Sequence, residues 1–368
     1  MTFFYPLFVV SMILLIPLAG CPSKSSPRVK TADDERPFVA PRHASSGRLT
    51  QVRELMASRR FVQALKALGG YLPRHPADAR AWFYKGECLR QMHEKSGALE
   101  AFRKAVGLKP EFPEKYVNLA GMLLLDNRLD EAESVLVKSV AQFPKEPGLH
   151  FNLGLVYLAR KRLPAACASL NTAARLAPGV VSYRIGAGLC AFKMGRLAES
   201  VIHFKAAAKA NPSNAAAHEG LARIFAARHQ SAQAIKEARK AVQLDPANPG
   251  RRYFLAGLLL QAKHGEEAAA EYEQVAARIR GKSVIYVRWG QALVLAKKQQ
   301  QAVGVLSKAV AALSSRTPAR VAMDLAEVLA QVGRCSRAIH VAANIKNSAF
   351  RSRVRLVESL CRRRIHGH

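Results

Sequence analysis

Acidic residues are scarce in this chain. Of 368 residues, 26 are Asp or Glu against 57 Lys or Arg, a formal net charge of +31. That excess is far beyond what solubility requires, and no acidic tract balances it. Cysteines number 6, and no Cys-x-x-Cys pair occurs among them. A Gly-rich phosphate loop and a His-Glu-x-x-His helix are also missing, so nucleotide and zinc-hydrolase chemistry have no motif to rest on. The 11 histidines are scattered; His366 and His368 lie close together but read as part of a solvated tail. No acid or nucleophile stands with an orienting partner. The expectation is therefore a protein that is not an enzyme and holds neither a metal nor a cofactor.

What is present is a period. Pro76, Pro110, Pro144, Pro178, Pro212 and Pro246 follow one another every 34 residues. Proline makes up about 5% of an ordinary chain, so chance does not produce such a run. Small residues share the period at Gly86, Ala120, Gly154, Gly188, Ala222, Ala256 and Gly290. A second small series runs through Ala64, Ala98, Ala132, Ala166, Ser200, Ala234, Ala268 and Ala302. A fixed period of this length marks a repeat solenoid, which offers an extended binding surface.

Within residues 79–112, Trp82, Gly86 and Leu89 form one helical stripe, and Ala98, Phe102 and Ala105 form another. Residues 91–97 are polar and end in glycine, which predicts the turn between two helices. Pro110 lacks an N–H and stops the second helix. These residues resemble the tetratricopeptide repeat, whose pattern has Trp, Leu-Gly, Tyr, Ala, Phe, Ala and Pro at these offsets. The pattern recurs at Tyr116, Leu119, Ala120, Leu123, Ala132, Leu136, Ser139 and Pro144. It recurs again at Leu153, Gly154, Tyr157, Ala166, Leu170, Ala173 and Pro178. The frame weakens where Arg280 and Ser314 replace proline. A two-residue slip restores it at Leu325, Ala326, Leu329, Gly333 and Ala338. The resemblance implies an all-α fold, a right-handed α-solenoid of helix-turn-helix repeats, with about nine units over residues 45–352. Residues 353–368, with Val354, Val357, Leu360 and Cys361, read as an amphipathic capping helix.

The apolar run at residues 3–18 is short for a membrane span and is interrupted by Pro6 and Pro17. It reads as a signal peptide over residues 1–20, although residues 1–5 carry no Lys or Arg. Leu18-Ala19-Gly20-Cys21 resembles the bacterial lipobox. That resemblance implies a diacylglycerol thioether on Cys21, cleavage before it and acylation of the new amine. An uncleaved anchor and an ordinary secretory signal are the alternatives. Residues 21–44 are rich in Pro, Ser and mixed charge, the composition of a disordered tether. Pro22, where Asp would favour the inner membrane, points to the outer membrane facing the periplasm.

In the tetratricopeptide family the first helix of each repeat lines a concave face. The register projects Phe83, Tyr84, Asn118, Phe151, Asn152, Leu155, Leu189 and Phe192 onto it. The middle of that face reads as an exposed apolar patch of the kind that marks a partner site, unless superhelical winding or the tether covers it. Asn118 and Asn152 share one register position, and family members use an asparagine there to pair an extended peptide backbone. Gly186 and Gly220 break that ladder. The expected partner is thus a protein or peptide segment. Nucleic acid is not expected beside a lipobox. An alternative class is a basic structural protein that holds anionic wall polymers or lipid headgroups through Arg351, Arg353, Arg355, Arg362, Arg363 and Arg364. Cys167 and Cys190 fall at similar heights on antiparallel neighbouring helices, so a disulfide between them is an open expectation. Cys335 with Cys361 is a weaker one.

Overall fold

The structure is a computed structural model that describes residues 47–108, 112–279, 281–314, 317–345 and 347–365. The expected signal segment, Cys21, the tether, Pro110, Arg280, His366 and His368 lie outside these residues. Nineteen α-helices and one 3-10 turn make up the described residues, which contain no strand. They fall into two compact units, Met1–Pro212 and Ser213–His368. No helix among the described residues is long and apolar enough to cross a membrane.

The first unit holds five helical hairpins: α1 (Gly47–Ala57) with α2 (Phe61–Tyr71), α3 (Ala79–Gln91) with α4 (Lys95–Gly107), α5 (Pro113–Leu125) with α6 (Leu129–Gln142), α7 (Pro147–Ala159) with α8 (Leu163–Leu176), and α9 (Val181–Lys193) with α10 (Leu197–Ala210). The second holds four: α11 (Ala215–Ala227) with α12 (Ser231–Leu244), α13 (Pro249–Gln261) with α14 (Gly265–Arg278), α15 (Ser283–Leu295) with α16 (Gln299–Ala311), and α17 (Ala319–Gln331) with α18 (Cys335–Ala343). The 3-10 turn Ser348–Phe350 then leads into α19 (Arg351–Ile365), which packs on α17 and α18. The capping helix therefore starts two residues before the expected boundary.

Small residues let the two backbones of a hairpin approach, and one large residue from the second helix fills the notch. A Cβ placed on Gly86 would lie 2.7 Å from the Phe102 ring. Those on Gly154 and Gly290 would lie 2.6 Å from Leu170 and 2.5 Å from Leu306. Ala64, Ala98, Ala132, Ala166, Ser200, Ala234, Ala268 and Ala302 are all fully buried. Ser200 meets its polar requirement by donating to the Gly188 carbonyl at 2.7 Å.

The hairpin turns are tighter than the polar residues 91–97 suggest. Only Met92, His93 and Glu94 separate α3 from α4, and Gly97 lies inside α4. His93 adopts φ +65°. Its N–H bonds the Arg90 carbonyl while Glu94 N–H bonds Leu89, the two reversed bonds of a Schellman stop. The same geometry recurs at Arg59, Asn127, Lys161, Gly195, His229, Lys263, Lys297 and Gly333. The two-residue slip before Gly333 is thus present in the backbone. At the other end of the hairpin, Pro144, Pro178, Pro212 and Pro246 stand just past the caps of α6, α8, α10 and α12. There, a missing N–H blocks continuation. Asp78, Asn214 and Asn248 then accept backbone N–H groups at the start of the next helix, which satisfies donors that a helix start leaves unpaired.

Candidate functional site

The face formed by the first helices of the hairpins is more closed than their register implies. In α3, Phe83 and Tyr84 are 7% and 2% exposed. Phe83 stacks edge-on at 5.3 Å against Phe112, which stands just before α5, and tilts on Phe102 at 5.9 Å. Burial raises the Tyr84 hydroxyl pKa above its ordinary value. Leu155 and Leu189 are buried too, at 5% and 7%. The projected apolar patch is therefore largely internal. Phe83 seals the joint to the entry of the next hairpin through Phe112, and the expectation of a broad exposed patch is corrected. Phe151, Phe192 and Asn118 remain half-buried and reachable.

Both asparagines bond within the chain. Asn152 Nδ2 donates to the Val117 carbonyl at 2.9 Å, and the residue is buried. Asn118 Nδ2 donates to Glu87 Oε2 at 3.1 Å. Glu87 also accepts from Arg90 at 3.0 and 2.5 Å and from Gln91 at 3.0 Å. The amides thus join adjacent hairpins instead of forming an unused peptide ladder. Gly186 interrupts that ladder because there is no room for a side chain: an added Cβ would lie 3.0 Å from Phe151 and 3.1 Å from Leu170.

The second unit makes the same joint with charge. Glu219 on α11 accepts from Arg223 at 2.7 Å and from Arg251 on α13 at 3.1 Å, and Arg251 also pairs Asp245. The Arg223 guanidinium lies 4.6 Å above the Phe254 ring, an arrangement that attracts a cation to the negative ring face. His218 is buried and bonds Glu237 at 2.7 Å. The Glu219–Arg251 pair fixes how the two hairpins sit, because either charge left alone would be buried and uncompensated.

The C-terminal arginines divide into two sets. Arg353 donates to Glu327 Oε1 and Oε2 at 2.7 Å each and to Asp324 at 3.0 Å. Hydrogen bonds to Glu327, opposed by partial burial, raise its pKa further. Arg364 Nη1 donates to the Ala330 and Gln331 carbonyls at 2.7 and 3.1 Å and so covers the C-terminus of α17. These two hold α19 in place. Arg351, Arg355, Arg362 and Arg363 are exposed, and no ion pair holds them among the described residues. Leu360, read above among the apolar residues of the amphipathic capping helix, is 47% exposed, whereas Val357 and Cys361 are fully buried.

Cys167 on α8 and Cys190 on α9 are joined as a disulfide across a Cα separation of 5.4 Å. Cys335 and Cys361 are free and buried in one cluster at the α18–α19 junction. Burial, then the Cys335 thiol, pushes the Cys361 thiol up to about 12. Burial does the same to Cys88, to about 12. Among the described residues, no three His, Cys, Asp or Glu side chains converge on a metal-sized site.

A family model described as tetratricopeptide repeat matches residues 49–114, 123–181 and 185–249. No curated protein matches the chain. Among solved structures, a chain of the APC/C hetero-tetramer Cut9–Hcn1 superposes with a TM-score of 0.54 at 16% identity. The match covers 77% of this chain and 55% of that one. Pseudomonas aeruginosa PilF superposes at 0.51 with 20% identity, covering 57% of this chain and 96% of that one. PilW, titled a widely conserved type IV pilus biogenesis factor, gives 0.49 at 20% identity over 55% of this chain and 93% of that one. At these identities the likeness is one of fold.

Proposed function

The chain belongs to the tetratricopeptide-repeat family, with repeats matched over more than half its length, and on that premise we propose that it is a lipid-anchored scaffold for cell-envelope assembly. Its class of action is protein–protein interaction. The finer reading is that Cys21 carries the lipid, that residues 22–44 tether the array to a membrane on its periplasmic side, and that the array positions envelope proteins. Secretin or pilus assembly and adaptation of wall enzymes are the tasks of this type. It works by binding and not by catalysis. The carrying observation is the order of parts: Leu18-Ala19-Gly20-Cys21, a short polar segment, then repeats. The binding segment lies along the first unit at Asn118, Phe151 and Phe192, the projected residues that remain reachable.

Fractionation tests the anchoring. Wild-type protein is expected in the membrane pellet with acylated Cys21, and Cys21→Ala in the soluble fraction. Unmodified Cys21 in mature protein, or an unchanged pellet for Cys21→Ala, would overturn it.

A further inference from the structure

The outward face of α19 matches neither a core nor an ordinary solvated surface. Leu356 and Leu360 stand one helical turn apart, 55% and 47% exposed. Arg363 and Ser359 share that face, and Arg355 and Arg362 lie on the adjoining outer flank of the helix, all exposed. The acid of this helix, Glu358, lies beyond Arg355 and Arg362, on the side away from the leucines, and is half-buried. The opposite face is already occupied: Val357 and Cys361 are buried against α17 and α18, and Arg353 and Arg364 bind groups on or next to α17. The helix therefore presents its leucines and arginines rigidly, with no requirement to fold on contact.

We propose that this face docks the chain on an anionic phospholipid surface, with Leu356 and Leu360 entering the headgroup–acyl boundary and Arg355, Arg362 and Arg363 pairing with phosphates. Exposed leucines on one side of a helix with arginines beside and flanking them are the composition of an interfacial helix. Charge selects among occupants. A second copy would bring an identical set of arginines against this one, and like charges repel. A neutral protein surface would leave three guanidinium groups beside it without counter-charge. The inference is independent of the anchor at Cys21, since it concerns a different part of the molecule and a different contact.

Vesicle flotation of the full-length chain at physiological salt tests it. Phosphatidylglycerol-containing vesicles are compared with pure phosphatidylcholine vesicles for wild type, for Leu356→Gln with Leu360→Gln, and for Arg355→Gln with Arg362→Gln and Arg363→Gln. The leading apolar segment is common to all three chains, so the readout is the preference for phosphatidylglycerol. Each basic residue near an anionic surface is worth roughly a fivefold change in binding. The arginine variant should therefore lose at least about tenfold of the preference, and the leucine variant should bind phosphatidylglycerol vesicles more weakly than wild type, both with unchanged circular dichroism melts. A Leu360→Trp chain should show blue-shifted emission on phosphatidylglycerol vesicles only. No preference in wild type, or wild-type preference in both variants, would overturn the proposal. So would loss in the arginine variant alone with equal capture by polyglutamate, which would assign the face to acidic polymers or proteins.

Discussion

At the scale of single residues, glycines separate two physical roles. Gly154 is a notch: a Cβ there would meet Leu170 at 2.6 Å, with the Ala166 carbonyl at 3.3 Å. Gly154→Ala should destabilise the protein by about 1–3 kcal/mol, the usual cost of overpacking. Gly121, inside α5, has nothing within 4 Å of its would-be Cβ. Gly121→Ala should stabilise by about 0.5–1 kcal/mol through helix propensity alone. Denaturant melts of the two variants should move in opposite directions. Buried thiols give a second residue-scale test. With its pKa pushed up to about 12 by burial, Cys88 carries roughly one thiolate in ten thousand at pH 8. A maleimide should leave it unlabelled in folded protein and label it after denaturation, because only the thiolate reacts.

The element that recurs is the hairpin, and its turn was the least legible part of the sequence. A residue in the left-handed region closes each hairpin, but it is glycine only at Gly195 and Gly333; elsewhere it is Arg, His, Asn or Lys. Lys and His give no sign of that conformation, and only the separation of Asn127 and Gly195 by two 34-residue periods hints at it. An L residue in this region costs about 1–2 kcal/mol, partly offset by the greater freedom that glycine loses on folding. Lys263→Gly, at φ +64°, should stabilise by up to about 1 kcal/mol, readable as a rise in melting temperature. The helices themselves were legible because the small, small and large set of Gly86, Ala98 and Phe102 recurs in most units, as at Gly154, Ala166 and Leu170. Exposure of the first-helix face was not. A register projection treats each helix alone, whereas Phe83 is covered by Phe112 at the entry to the next hairpin and Gly186 is crowded by Phe151 of the preceding repeat. The pinning of α19 is likewise invisible in sequence, because Arg353 and Arg362 look alike until Glu327 and Asp324 are placed beside one of them. Arg353→Gln should loosen α19 by about 1 kcal/mol, seen as faster amide exchange in that helix while Arg362→Gln leaves it unchanged.

For the molecule as a whole, stability is distributed along a stack in which each hairpin depends on its neighbours. Ala132 is fully buried in α6. Ala132→Trp should abolish exchange protection in α5 to α8 while α15 to α18 keep theirs; uniform loss would contradict nearest-neighbour coupling. Outer ion pairs such as Arg103–Glu131 and Arg239–Glu267 are largely exposed and individually weak. Repeat arrays of this family offer extended surfaces for partners. The most direct measurement of that role places a photocrosslinking residue at Phe192 or at Val62, which is 68% exposed on α2, in full-length protein in its native envelope. The account predicts a discrete protein adduct from Phe192 and none of that mass from Val62. Absence of any adduct at Phe192, or the same products from both positions, would contradict it.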